Sequence, residues 1–269
     1  MKETEIKEVW NLAAESWVDF VRKGKDSVRD EMSNPSMFEL LGDINGKRIL
    51  DIACGEGHNT RLVRKKGASV VGVDFSENMI KAAIEHEENE LLGIEYHVSD
   101  ASDLGMFKDD SSFDIVTAFM ALMDIKNYQR TISEISRVLR SKGRFVFNIT
   151  HPCYETRVKD GKFVNGWIYE REGGGRKPDH ARYYAVDNYF QTNEEEIVPW
   201  EMERLKHPFI TVAFHRTLTE YSEALKEAGF HILRMLEPKP SKEALEKYPV
   251  LKGCERIPHS IAFEAMKIA

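Results

Sequence analysis

A chain of 269 residues, 42% hydrophobic and 31% charged, is long enough to bury a full core and too apolar for wholesale disorder. A net charge of -7 argues against broad nucleic-acid contact, which needs a basic face to neutralise phosphates. No apolar run approaches the length of a bilayer span, and the charged start, Met1 to Glu8, lacks the apolar core of a signal peptide. Cys54, Cys153 and Cys254 are widely spaced and form no C-x-x-C pair, so they read as free thiols of a reducing cytoplasm rather than disulfides or a metal site.

Residues 1–46 carry a helical pattern and form an extension ahead of the core. From Lys47 to about Thr150, short apolar runs alternate with helical stretches. The runs from Arg48, Ser69, Ile94, Phe113 and Arg144 read as strands, near-continuous in apolar residues as in a parallel sheet covered on both faces. Between them, Ser76 is an N-cap for a helix whose apolar face carries Met79, Ile80, Ala83 and Ile84. Tyr128 to Leu139 is a second helix, with Gly143 as its stop. Strand-helix-strand units imply right-handed crossovers and an α/β, doubly wound sheet.

Residues 151–209 fit no such unit. A Gly173–Gly175 turn, strand-like Arg182–Val186 and Asn188–Gln191, and many aromatics predict an inserted antiparallel element, either a lid or a dimerisation surface. Residues 210–269 return to the core: Thr217 and Glu220 form a capping box, Gly229 ends the helix, and strands from Phe230 and Ser260 close the sheet as a hairpin-like pair.

The densest signal is Ile49-Leu-Asp-Ile-Ala-Cys-Gly-Glu-Gly57. Glycines there permit a tight turn and close approach of backbone to a ligand, and the following helix aims free N–H groups at the same space. The dinucleotide spacing G-x-G-x-x-G fails in both registers, at Thr60 and at His58, and no Gly-Lys-Ser/Thr follows. Instead Asp51, Asp74 and Asp100 close three successive strands and face one crevice, a pattern suited to a cationic, hydroxyl-rich ligand.

Asp-x-Ala-x-Gly-x-Gly followed by Asp74 and Asp100 resembles the first three motifs of class I S-adenosylmethionine-dependent methyltransferases. The resemblance covers Lys47 to Ile149 well and the carboxyl-terminal part moderately. It implies a Rossmann-like seven-stranded sheet with its last strand antiparallel, with residues 47–150 as the cofactor-binding half, and S-adenosylmethionine as cofactor. It gives Asp51 the ordering of the glycine loop and of the methionine end of the cofactor, and has Gly55 and Gly57 lie against it. Asp74 takes both ribose hydroxyls, Phe75 and Met79 pack on adenine, and Asp100 with the Ala101 N–H reads the ring edge. Carbonyls near Ala118 and Phe119 take the methionine ammonium. Ala53 replaces the family's first glycine, which the loop tolerates only if φ stays negative there.

Methyl transfer from a sulfonium needs in-line positioning and, for some acceptors, removal of a proton. His151, directly after the fifth strand, is the candidate base; anchoring of the insertion is its equal alternative, and His215 reads as structural. Trp10, Trp17, Tyr154, Trp167, Tyr183, Tyr184, Tyr189 and Trp200 either form a water-excluding lid or fill an added core. Ala118-Phe-Met-Ala stands where nucleic-acid amino methyltransferases carry Asp/Asn-Pro-Pro-aromatic. Cys153 after Pro152 matches a cytosine-methylating nucleophile only in residue type, and Thr150-His151 stands where a magnesium-dependent catechol-type enzyme carries an Asp-Asn pair. No metal ligand set is assigned. The reading is an oxygen or nitrogen methyltransferase for a small-molecule acceptor, with no membrane or nucleic-acid partner and a homodimer possible through the insertion. A non-catalytic cofactor-binding subunit, or an RNA or protein methyltransferase, is the alternative.

Overall fold

The computed structural model describes residues 1–108, 112–159, 162–169, 181–202 and 205–268. The Gly173–Gly175 turn expected from the sequence lies outside the described residues. The chain opens with α1 (Glu3–Arg22), one π-helical turn at Arg29–Ser33, and α2 (Asn34–Leu41), which holds Pro35 in its first turn. Then come β1 (Arg48–Ile52), α3 (His58–Lys65), β2 (Ser69–Asp74), α4 (Glu77–Glu90), β3 (Glu95–Val98) and β4 (Phe113–Phe119). A 3-10 turn at Leu122–Asp124 leads into α5 (Tyr128–Val138) and β5 (Leu139–Thr150).

The insertion is a series of antiparallel pairs. β6 (Val158–Lys159) pairs with β7 (Lys162–Phe163), and β8 (Gly166–Tyr169) with β9 (Ala181–Ala185). β10 (Glu195–Trp200) pairs with β11 (Phe209–Phe214), so the antiparallel element runs past position 209. Asn188–Gln191 is a turn rather than a strand: its aromatic residues suggested pairing, but the Gln191 N–H closes back on the Asn188 carbonyl. The core resumes with α6 (Leu218–Glu227), β12 (Phe230–Leu236), α7 (Lys242–Lys247), a 3-10 segment at Pro249–Glu255 and β13 (Ser260–Lys267).

Seven strands form one sheet in the order β12-β13-β5-β4-β1-β2-β3. β3, β2, β1, β4 and β5 run parallel, and β13 lies antiparallel between β5 and β12. β12 and β13 are joined through α7 and the 3-10 segment, not by a tight turn. The strands read as apolar because both faces are covered. On one face Leu50, Ile52, Val116, Phe145 and Phe147 pack under α5 and α6; on the other Ile49, Val70, Ile115 and Val146 meet α2 and α3. Chain order reverses between β1 and β4, which opens a crevice at the carboxyl ends of those strands.

The helix signals hold with two exceptions. Ser76 accepts the Met79 N–H and opens α4, and Thr217 and Glu220 form the reciprocal cap of α6. Ile84, expected on the buried face of α4, is exposed. Gly143 does not stop α5; the chain turns from helix to strand at Leu139, and Gly143 lies within β5, where a Cβ would come within 2.8 Å of the Arg140 carbonyl. Among the described residues no helix is long and apolar enough to cross a membrane.

Candidate functional site

The crevice is a cavity of about 540 Å³ between the sheet edge, α1 and the β10–β11 pair. Asp51, Asp74 and Asp100 all line it, together with Ala53, Gly55, Phe75, Met79, Ala101 and Phe119. Gly57 and Ala118, expected to face the same ligand, do not. Gly57 is the left-handed N-cap of α3, and a Cβ on it would overlap the Tyr96 ring, with Tyr96 Cζ at 2.8 Å. Its missing side chain makes room for Tyr96 on β3. Ala118 is fully buried in the core, and the cavity wall begins one residue later at Phe119.

Each strand-end acid is held differently. Asp51 is buried, with Thr60 donating to Oδ2 at 2.6 Å and Thr117 to Oδ1 at 2.7 Å, so it ties the start of α3 to β4. Asp74 accepts the Gly55 N–H on Oδ2 and the Ser76 N–H on Oδ1, both at 2.9 Å. One backbone donor per oxygen leaves a free lone pair on each, the pattern a vicinal diol needs. Burial pushes both carboxyls up to about 6, against the hydrogen bonds that favour their ionised forms. Asp100, half-buried, accepts from the Ser102 N–H at 2.7 Å.

Two non-glycine residues on the wall hold positive φ: Ala53 at 48° and Met120 at 51°. Ala53 therefore occupies the left-handed region that the sequence reading excluded for it. The reason is that the glycine loop must reverse after β1; Cys54 N–H bonds to the Val73 carbonyl at 3.0 Å and fixes the turn. Met120 is held by its N–H to Asn148 Oδ1 at 2.8 Å. Strain at both points sits on the cavity wall, where backbone strain commonly concentrates.

The loop is also clamped from outside. Glu56, buried, receives Arg61 Nη2 at 3.0 Å and Arg22 Nε at 3.1 Å. Arg22 ends α1, so this ion pair fastens the covering helix to the glycine loop. Further along, Ser76 Oγ donates to Asn11 Oδ1 at 2.7 Å, and Ser16 Oγ donates to the His207 carbonyl at 2.7 Å. At that end of the cavity polar atoms lack partners. Arg29 donates Nε to Asp30 Oδ1 at 2.9 Å, but its buried Nη2, at the same distance, is angled to make no hydrogen bond. His259 Nδ1 is likewise buried without a partner.

The far end of the cavity lies beyond β4. His151 is not there. It is buried outside the cavity, accepting the Cys153 N–H on Nδ1 at 3.2 Å and meeting Glu237 Oε1 through Nε2 at 2.9 Å. With one ring nitrogen accepting and the other donating, it anchors the start of the insertion and has no proton-accepting atom facing the crevice. His215, read as structural from the sequence, does line the cavity. Its Nδ1 meets Glu155 Oε1 and its Nε2 donates to the Tyr189 carbonyl at 2.7 Å. Asp124, on the 3-10 turn after β4, also lines the cavity, and its carboxylate accepts no hydrogen bond from the described residues. Desolvation pushes it up to about 8, with Arg216 pulling down and Glu155 adding to the rise.

Half of the aromatic set closes the crevice. Trp10, Trp17, Tyr154 and Trp200 line it, with Trp17 and Trp200 edge to face at 5.4 Å and Trp200 stacked on Phe209 at 5.5 Å. The Trp200 indole donates to Thr211 Oγ1 at 3.0 Å. Trp167 and Tyr184 pack on each other elsewhere in the insertion, Tyr183 is exposed, and the Tyr189 hydroxyl accepts the Leu218 N–H at 3.1 Å. Cys153 lies off the cavity, and burial raises its thiol.

A doubly wound sheet with acids at successive strand ends and a glycine turn at its switch point defines a nucleoside-cofactor-binding α/β protein. Residues 50–147 match the model of the methyltransferase domain family. The "Putative methyltransferase" of Geobacillus sp. is 31% identical over 248 residues, covering 82% of this chain and 83% of that protein. A ubiquinone biosynthesis O-methyltransferase of Coxiella burnetii is 35% identical over 105 residues, 39% of this chain and 44% of that protein. Among solved structures, an S-adenosylmethionine-dependent methyltransferase from Mesorhizobium loti superposes with a TM-score of 0.67 at 26% identity. That match covers 87% of this chain and 96% of the other. The chain belongs to the class I S-adenosylmethionine-dependent methyltransferase family.

Proposed function

We propose that the protein transfers the methyl group of S-adenosylmethionine to an oxygen or nitrogen of a small-molecule acceptor. The observation that carries this is one cavity joining Asp51, Gly55, Asp74 and Asp100 at the sheet edge to Asp124 and His215 under the tryptophans. The residues present fit the cofactor. Asp74, with one lone pair left on each oxygen, would accept the ribose hydroxyls, and Phe75 and Met79 would flank adenine, whose amine Asp100 would accept. Arg29, whose Nη2 makes no hydrogen bond although it is ion-paired with Asp30, supplies a guanidinium on the cavity wall for the methionine carboxylate.

Bound S-adenosylmethionine supplies an activated methyl group on a sulfonium. The chain then has to hold the acceptor in line, exclude water and dispose of a proton. The aromatic cover supports a small acceptor: tryptophans packed on one another roof a mainly apolar chamber beside the cofactor edge. Partial relatives named for ubiquinone biosynthesis and for demethylmenaquinone support the same class. The free thiols Cys54, Cys153 and Cys254 support a cytoplasmic setting.

Titration calorimetry with S-adenosylmethionine and S-adenosylhomocysteine tests the cofactor half of this reading, with micromolar binding expected. S-Adenosylhomocysteine release against a panel of phenols and amines tests the acceptor half. No heat at millimolar ligand overturns both; binding without turnover on any member of the panel overturns the transfer reading.

A further inference from the structure

Among the described residues, Asp124 is the one acid on the cavity wall that the cofactor reading leaves unused and that accepts no hydrogen bond. Asp51 is held by two threonines, Asp74 and Asp100 by backbone N–H groups, Glu3 accepts from Asn127, and Asp26 accepts the Arg29 N–H. Glu56 takes Arg61 and Arg22, Glu155 is shared by Thr150 and His215, and Glu196 takes Arg157 Nε at 2.7 Å. The Asp124 carboxylate receives no hydrogen bond from the described residues, yet it faces the chamber beyond the carboxyl end of β4. The backbone that carries it is fixed. Arg216, almost fully buried, donates to the carbonyls of Leu122, Ile125 and Lys126 at 2.8, 2.6 and 3.1 Å, and lies over the Tyr128 ring at 4.1 Å. Three hydrogen bonds to the turn hold the aspartate while leaving its oxygens open. A bare carboxylate on a rigid turn is a group arranged to meet something not in the chain.

We propose that Asp124 is the proton acceptor for the methyl acceptor, and that the positive charge of bound S-adenosylmethionine is what ionises it. This rests on the reading of the cavity as a methyltransferase site. The acceptor class follows: a nucleophile that carries its proton into the chamber, a hydroxyl or a protonated amine. In the step, the lone pair of that oxygen, or of the nitrogen once Asp124 has taken its proton, forms the new bond to the methyl carbon. The carbon–sulfur pair stays on sulfur, giving the neutral thioether, and Asp124 keeps the proton. Charge balances, since one cation and one carboxylate are consumed together.

The surroundings of Asp124 suit such a switch. The charged and titratable groups around it are Arg216 and Tyr221 from the β11–α6 corner, Glu155 and its partner His215, and Tyr128 on α5. Lys126 and Glu3 line the same cavity, Lys126 paired with Glu195 at 3.0 Å and Glu3 accepting from Asn127. Burial and Glu155 outweigh Arg216, so the empty site holds the carboxyl up at about 8 and largely protonated at neutral pH. An added cation within a few ångströms lowers such a group by about 1–3 units. The neutral product does not. Ionisation therefore tracks the reactive cofactor, and the proton gained in transfer is released when fresh cofactor enters.

The test is calorimetry at about pH 7.5 in two buffers of different ionisation enthalpy, with each ligand in turn. Wild type should release about half a proton or more on binding S-adenosylmethionine than on binding S-adenosylhomocysteine. Asp51, Asp74 and the ligands' own amino groups contribute to both measurements, so the decisive quantity is how the difference changes in Asp124→Asn. That variant should abolish the difference, leave S-adenosylhomocysteine affinity within about threefold, and lower turnover by roughly 10²-fold or more. It should weaken S-adenosylmethionine by roughly 3-fold to 10²-fold, because a cation that ionises the acid must bind its ionised form tighter. A melting curve confirms folding, and Asp124→Ser serves as a second variant of smaller volume. Equal proton release by the two ligands in wild type, or a difference that survives both substitutions, overturns the role of Asp124 while leaving the cavity reading intact. Failure of either ligand to bind overturns the cavity reading first.

Discussion

The two walls of the cavity are built on opposite principles. On the sheet side every functional oxygen is fixed by backbone or by a neighbouring hydroxyl: Asp51 by Thr60 and Thr117, Asp74 by Gly55 and Ser76, Asp100 by Ser102. Their geometry is set by the strand ends and by the short turns and neighbouring strand that hold them. On the cover side the wall is made of rings and long-range pairs. α1 meets β11 through Trp17, Trp200 and Phe209, and the insertion is held by Arg157 reaching Glu196 and the carbonyls of Asn188 and Gln191. The difference teaches where specificity resides. A rigid edge presents the same hydrogen-bond pattern whatever covers it, whereas the cover can be rebuilt for another acceptor without touching the edge.

The pin between the walls is the sharpest place to break that division. Glu56 stands on the glycine loop but is gripped by Arg61 from α3 and Arg22 from the cover. Glu56→Gln strands one buried guanidinium and frees the end of α1. The expected loss is about 3–5 kcal/mol of stability in denaturant unfolding. A loss below 1 kcal/mol would mean that water replaces the carboxylate and that the two walls are independent.

Next in size is a test of the edge alone. Asp74→Ala removes the acceptor for two backbone N–H groups and for the ribose contacts. Charge-assisted hydrogen bonds contribute about 1.5–3 kcal/mol each, so affinity for S-adenosylhomocysteine should fall by about 10²-fold. Unchanged affinity would refute the assignment of Asp74. The mirror experiment is Trp200→Ala on the cover, where loss of one aromatic contact of ~1.5 kcal/mol predicts about a tenfold rise in acceptor KM. S-Adenosylhomocysteine affinity should stay within about threefold, and an equal loss of cofactor binding would erase the distinction between the walls.

The same division explains what could be read from the sequence. The strand-end acids and the glycine turn are contiguous in the chain, because a strand, its turn and the next helix are neighbours by connectivity. They were legible as a pattern. Asp124 was not, since a lone aspartate in a short turn looks like a cap; its meaning comes from Arg216 and Glu155, which reach it from distant segments. His151 erred the other way. Its position after β5 put it near the crevice, but whether a side chain points in or out depends on Glu237, and no local signal carries that. Gly57 makes the same point: its glycine accommodates Tyr96 on β3, a packing demand that no local signal carries.

Ala53 gives the smallest effect and tests how far the edge can be changed without harm. At φ 48° an alanine carries a steric cost of roughly 1–2 kcal/mol that glycine does not. Glycine would loosen the unfolded chain, costing back about 0.5–1 kcal/mol, and would lose the contact its methyl makes with the main core. The terms leave a net gain of about 0.5–1 kcal/mol for Ala53→Gly, visible as a higher denaturant midpoint at constant m-value. Because the Cys54 N–H and Gly55 N–H already fix the loop on Val73 and Asp74, cofactor affinity should not move. A destabilised variant would show that the methyl contact outweighs the backbone strain. A stabilised variant with weakened cofactor binding would show instead that the alanine holds the loop in its binding shape, and the edge would then depend on a side chain as the cover does.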